Sequence, residues 1–155
     1  MIPSPIQQTN FKFLATWLQQ QSPLQTEVYA NGGGNPARIL EHIPINAQTT
    51  VDIETFLVEH ERLATRHYFL QRNRLPQDKK KRECIILQIL RLSNENSFLI
   101  FGVDEEEELY AFHQIKCDQA TEGLLDDYYR FRQAVFHLIE NLPKIINDAI
   151  ETCES

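Results

Sequence analysis

The stretch ECIILQILRLSNENSFLIFGVDEEEELYAFHQIK, residues 83–116, decides how this chain is read. Its first ten residues alternate as a strand does, with Cys84, Ile86 and Gln88 on one face and Ile85, Leu87 and Ile89 on the other. Ser93-Asn94-Glu95-Asn96 is turn-forming, and Ser97–Val103 resumes a β-type run. Asp104–Glu108 is a second, strongly acidic turn, and Leu109–Lys116 a third alternating run. The stretch predicts a three-stranded antiparallel meander.

Upstream, the apolar period is helical. Phe56, His60, Leu63, His67 and Leu70 lie at steps of three and four, which predicts a helix over 53–73, capped by Thr50 or Asp52 and closed by Leu75-Pro76. A hairpin is expected before it: 24–30, a turn Asn31-Gly-Gly-Gly-Asn-Pro36, then 37–45, in which Ile39, Glu41, Ile43 and Ile45 share one side. Phe11, Leu14 and Leu18 predict a first helix from Thr9 or Asn10 to Gln21. Downstream, Leu124, Tyr128, Phe131, Val135, Leu138, Leu142, Ile145 and Ala149 form a helical stripe capped by Asp118 or Thr121, with a kink or restart expected at Pro143. The expected order is α-β-β-α-β-β-β-α, an α+β fold in which an antiparallel sheet packs against helices. Residues 1–8 read as a flexible arm, 9–150 as a single domain and 151–155 as a frayed tail.

Composition bounds the function. The 155 residues are 42% hydrophobic and 24% charged, which is ordinary for a globular domain. No apolar run reaches the roughly 18 residues of a membrane helix, and Met1–Thr9 has no basic start or apolar stretch, so a cytoplasmic protein is expected. Cys84, Cys117 and Cys153 are odd in number, far apart and form no CxxC pair; thiols are expected rather than a disulfide framework or a zinc cluster. Net charge is −7, yet residues 62–82 hold eight bases against one acid, Asp78. An acidic chain repels a nucleic acid backbone over most of its surface. The exposed part of that belt (Arg72, Arg74, Lys79, Lys80, Lys81, Arg82) remains a possible basic contact, with Tyr68 and Phe69 available for stacking.

The residues that could carry chemistry do not converge. His60 and His67 stand seven apart, roughly 10 Å along a helix, too far for one ion. Five consecutive acids at 104–108 lack the alternating ligands and glycine of a calcium loop. The glycines of 32–34 have no following Lys-Ser/Thr, as a phosphate loop requires. No catalytic residue, metal or cofactor is expected.

The runs FLIFGVDEEEELYAF (98–112) and LLDDYYRFRQAVFHLI (124–139) are similar to those of the YbjN and type III secretion chaperone-like group. There a strand, an acidic turn and a strand precede a long final helix. The resemblance implies an α/β sandwich that is non-enzymatic, dimeric and peptide- or protein-binding. The likeness covers 97–150, and 9–75 by element order. One departure stands: in that group the second helix leads directly into the acidic hairpin, whereas here a strand is expected over 83–92. The same element order suits roadblock/longin-like and PAS-like domains.

The favoured reading is a chaperone-like module that binds another protein as a homodimer. The final helix is long enough to outreach a small sheet. The partner is therefore expected to meet either the sheet face or the apolar flank of that helix, with Tyr128, Phe131, Val135 and Leu138 as the candidate contacts. The competing readings are a nucleic-acid-associated regulator using 62–82, and a ligand sensor or enzyme with a pocket near His60 and His67.

Overall fold

The computed structural model describes residues 2–94, 98–117 and 121–154. The expected turn over 93–96, the strand start at Ser97 and the Asp118 cap fall wholly or partly outside these residues, as do the first residue of the expected arm and the last of the expected tail.

The first helix, α1 (Pro5–Gln21), begins before Thr9. The Ser4 hydroxyl accepts from the Gln7 backbone N–H while the Gln7 side chain accepts from the Ser4 N–H. Pro5 occupies a first-turn position where its missing N–H is not needed. Residues expected to form a loose arm are therefore anchored: Gln7 is buried, and its Nε2 donates to the carbonyls of Val58 at 2.6 Å and Arg62 at 2.9 Å. The hairpin β1 (Thr26–Ala30) and β2 (Pro36–Pro44) follows as expected. Its turn places Gly34 at φ 80°, and Asn31 Oδ1 accepts from two turn amides.

Two central expectations are overturned. A second hairpin, β3 (Thr50–Val58) and β4 (Arg62–Leu70), stands where a helix was expected over 53–73. Val51, Ile53 and Thr55 alternate inward on β3, as do Leu63, Thr65, His67 and Phe69 on β4. The reversal between them runs through Glu59-His60-Glu61, with His60 and Glu61 at φ 62° and 55°. With no glycine, proline or asparagine there, the turn carried no compositional mark, and the helical spacing of Phe56, His60, Leu63 and His67 was coincidental.

Conversely, the strand expected over 83–92 is helical: α2 (Lys79–Arg91), capped by the Asp78 carboxylate, which accepts from the Lys81 N–H. Its buried face is Arg82, Ile85, Ile86 and Ile89, a perfect i, i+3, i+4, i+7 set that an arginine disguises. The isoleucine run favours a strand by local propensity, and tertiary packing overrides it. Thus α2 leads into β5 (Ile100–Val103) and β6 (Leu109–Lys116), and the departure from the chaperone pattern disappears. The chain closes with α3 (Thr121–Glu154), one helix that continues through Pro143 and includes most of the tail expected to fray.

The fold is α+β, with a six-stranded antiparallel sheet in the order β1-β2-β3-β4-β6-β5. The chain divides into two compact units. The first (residues 1–67 and 113–130) encloses Phe11, Leu14 and Leu18 of α1, Ile39 and Ile43 of β2, Val51 and Ile53 of β3, and Leu124 and Tyr128 of α3. The second (68–112 and 131–155) encloses Phe69, Ile85, Ile86, Ile89, Leu109, Phe131, Val135 and Leu138. Each such side chain contributes about 1.5–3 kcal/mol when fully buried.

The second unit also holds a Cys84–Cys153 disulfide, with Cα atoms 6.0 Å apart, joining α2 to the last turn of α3. Thiols were expected at both positions. The pairing depends on two helix segments lying side by side, which a separation of 69 residues conceals. Cys117 is buried and lies outside the disulfide.

Candidate protein-binding surface

The register of β5 and β6 builds an exposed apolar surface on the second unit. Ile100 pairs with Phe112 and Gly102 with Tyr110, so these four residues share one face. Phe101, Ala111 and Leu109 take the other; Phe101 packs on Phe69 with ring centres 5.1 Å apart. On the outer face Tyr68 of β4 meets Tyr110 edge-on at 5.5 Å, and Tyr110 lies 5.8 Å from Phe112. Gly102 makes the arrangement possible, because a Cβ there would stand 2.5 Å from Tyr110 Cζ. Ile100 is 49% exposed and Tyr68 38%. The strand bearing Ile100 ends the sheet order and has four residues.

The acidic turn between β5 and β6 is ordered by its own side chains. Asp104 Oδ1 accepts from the Glu106 and Glu108 N–H groups, and Glu107 has φ 62°. Arg82 fastens this turn: its guanidinium pairs with the Glu107 carboxylate and donates to the Gln77 carbonyl at 2.9 Å. That hydrogen bond holds the Glu107 pKa below the usual carboxylate value and raises that of Arg82. Arg82 is thus buried and engaged, which removes it from the expected basic contact. Arg72, Arg74, Lys79, Lys80 and Lys81 are exposed; Lys79 lies 3.9 Å from Glu83, and Arg72 shares a cavity of about 710 Å³ with Glu106 and Glu108. Acids therefore stand beside Lys79 and Arg72, which makes the surface there mixed in sign and unlike a phosphate track.

The residues expected to meet a partner on the final helix are placed inside. Tyr128, Phe131 and Val135 have no solvent exposure and Leu138 has 5%. This part of the stripe is enclosed by the chain itself, while Ile145 further along is half-exposed. Leu138 does line an open groove of about 190 Å³ on the flank of α3, with Ala134, His137, Asn141 and Ile145.

The two histidines on the expected helix stand in different environments. His60 is exposed in the β3–β4 turn, beside Glu61, Arg62 and Lys116. His67 is buried on β4, its Nδ1 2.8 Å from the Asp52 carbonyl, and burial lowers its pKa. Among the described residues no group of three or more His, Cys, Asp or Glu is placed to hold a metal ion. A different histidine gathers charge: His42 Nδ1 lies 2.6 Å from Asp52 and Nε2 3.0 Å from Glu27, and the hydrogen bond to Glu27 is the first cause of its raised pKa. Glu27, His42 and Asp52 sit on three neighbouring strands; only the register, Thr26 with Glu41 and His42 with Asp52, brings them together.

Solved structures share this architecture. A chain of the ExsC–ExsE complex superposes with a TM-score of 0.57 at 17% identity, covering 88% of this chain and 95% of that one. A chain of the HopA1–SchA chaperone–effector complex gives 0.53 at 15% identity, covering 89% and 99%. The six-stranded sheet and its helices are thus a fold shared with these two chains. A further likeness, at a TM-score of 0.47 and 14% identity, is to the structure of the Yersinia pestis type III secretion chaperone SycH with a fragment of YscM2; it covers 85% of this chain and 98% of that one. No family model matches the chain. No curated protein sequence matches it. No helix among the described residues is long and apolar enough to cross a membrane.

Proposed function

We propose that this chain is a non-enzymatic, chaperone-like module of the cytoplasm. It binds a segment of another protein on the outer sheet face bearing Tyr68, Ile100, Tyr110 and Phe112, and works as a homodimer. The observation that carries this reading is that face: aromatic and aliphatic side chains, two of them more than a third exposed, beside a short strand at the end of the sheet order. Contiguous exposed apolar surface of this kind marks interaction sites. The acidic turn 104–108 adjoins it in sequence and favours a partner segment with basic side chains. The groove at Leu138 on α3 is a second contact for the same partner or for the other copy. Support also comes from the fold, shared with a chain of a chaperone–effector complex.

The test is affinity capture from the source cell, with mass spectrometry of the co-purifying proteins. Wild-type chain is expected to retain a specific protein, and Ile100→Asp with Tyr68→Glu to lose it while the circular dichroism spectrum is unchanged. Equal capture by both would remove the outer face from the proposal. Light scattering is expected to return twice the 18.1 kDa of one chain; the mass of a single copy would remove the dimer.

A further inference from the structure

We infer that the Cys84–Cys153 disulfide is a redox latch that holds the last turns of α3 against α2. Four observations meet at this place, all within the second unit. Cys84 lies early in α2 and Cys153 in the final turn of α3, and both are half-buried rather than enclosed, so a small thiol can reach them. The segment they tie down is thinly packed: from residue 144 to 154 Ala149 is buried, while Ile145, Ile146 and Ile150 are half-exposed. Beneath it a cavity of about 190 Å³ remains, lined by Gln88, Ile89, Leu92, Ile145, Asp148 and Ala149. Pro143 stands at its start, where the missing N–H and the ring interrupt the helical ladder.

The helix end opposes its own order in another way. The last turn carries Glu151 and Glu154 and no base, whereas a helix C-terminus favours cations. With weak packing, an interrupted ladder and the wrong charge, the covalent tie is what fixes this segment. A dithiol reductant opens the latch by ordinary exchange. One reductant thiolate attacks a sulfur of the disulfide, the S–S bond breaks, and a mixed disulfide forms. The second reductant thiol displaces it, so the reductant leaves as its own disulfide, having supplied two electrons and two protons, and Cys84 and Cys153 become thiols. The turns after Pro143 then fray and widen the cavity over Ile89.

Hydrogen exchange on the full chain, oxidised and dithiol-reduced, tests this with a readout independent of any binding partner. Reduction is expected to add two hydrogens to the intact mass. Amides of 144–154 are expected to exchange at least about tenfold faster, while those of 124–142 keep their protection. Cys84→Ser with Cys153→Ser should reproduce the reduced pattern and ignore the reductant. Unchanged exchange at 144–154 would show that the bond holds nothing. Loss of protection throughout 124–142 would make it a bond the whole unit requires. Identical masses would show that it does not form.

Discussion

The hydroxyl of Tyr128 on α3 donates to Oε1 of Glu41 on β2 at 2.5 Å, and both side chains are buried. Glu41 sits between Ile39 and Ile43 on the inward face of its strand, a carboxyl group carried into a core by its register. A buried hydrogen bond of this kind is worth most when one half is removed, because the other loses a partner that water cannot replace. Tyr128→Phe is expected to lower stability by about 1–3 kcal/mol in urea denaturation. In a Glu41→Leu background the same change should cost markedly less, since both polar groups are then gone. Equal costs in the two backgrounds would show that the pair is not coupled.

Two histidines should act on stability in opposite directions with pH. The His42 pKa is raised by its hydrogen bonds to Glu27 and Asp52, so its contribution is present below the ordinary histidine value and is lost as pH rises through the raised one. The His67 pKa is lowered by burial, so its contribution is present above the ordinary value and is lost as pH falls through the lowered one. His42→Gln should therefore flatten the alkaline side of a plot of urea midpoint against pH, and His67→Gln the acid side. The His42 effect should be the smaller, because its partners Glu27 and Asp52 are exposed to screening solvent. A His42 variant that alters only the acid side would contradict the geometry.

Much of this fold was legible because its signals are local. The alternation of Ile39, Glu41 and Ile43 placed β2 correctly, glutamate included, and the stripe from Leu124 to Ala149 located α3. The failures share one cause, a residue whose role is set by distant neighbours. Arg82 fills an apolar position of α2 because Glu107, 25 residues on, receives its charge, so the helical stripe looked broken. His60 and Glu61 accept positive φ in a turn that pairing of β3 with β4 demands. A sheet face was expected to meet the partner, but its residues were hidden for a similar reason, since Tyr68, Tyr110 and Ile100 come together on that face through strand pairing.

Arg82 and Glu107 yield a prediction that separates a structural arginine from a surface one. Arg82→Ala leaves the Glu107 carboxylate and the Gln77 carbonyl without their donor, so the melting temperature should fall well below that of Lys81→Ala, whose side chain is exposed. The pairing also carries a pH signature. With the Glu107 pKa depressed, its contribution is present above the ordinary carboxylate value and is lost as pH falls through the depressed one. Glu107→Gln should remove that part of the acid destabilisation. Identical melting of the Arg82 and Lys81 variants would place Arg82 on the surface.

The ring of Tyr110 lies across Gly102, within 2.5 Å of where a Cβ would stand, so Gly102→Ala must push the ring away. Tyr110 is half-exposed and can swing outward, which places the expected loss at the low end of overpacking, about 1 kcal/mol. The sign should reverse in a Tyr110→Ala background. With no ring to collide with, alanine is then preferred over glycine in a strand, by roughly 0.5–1 kcal/mol. Near-ultraviolet circular dichroism should change with the single substitution, because Tyr110 leaves its contacts with Tyr68 and Phe112. If the outer face holds a partner, capture should weaken with Gly102→Ala more than its small loss of stability explains. A single variant as stable as wild type, with an unchanged aromatic spectrum, would mean that Tyr110 does not rest on Gly102 in solution.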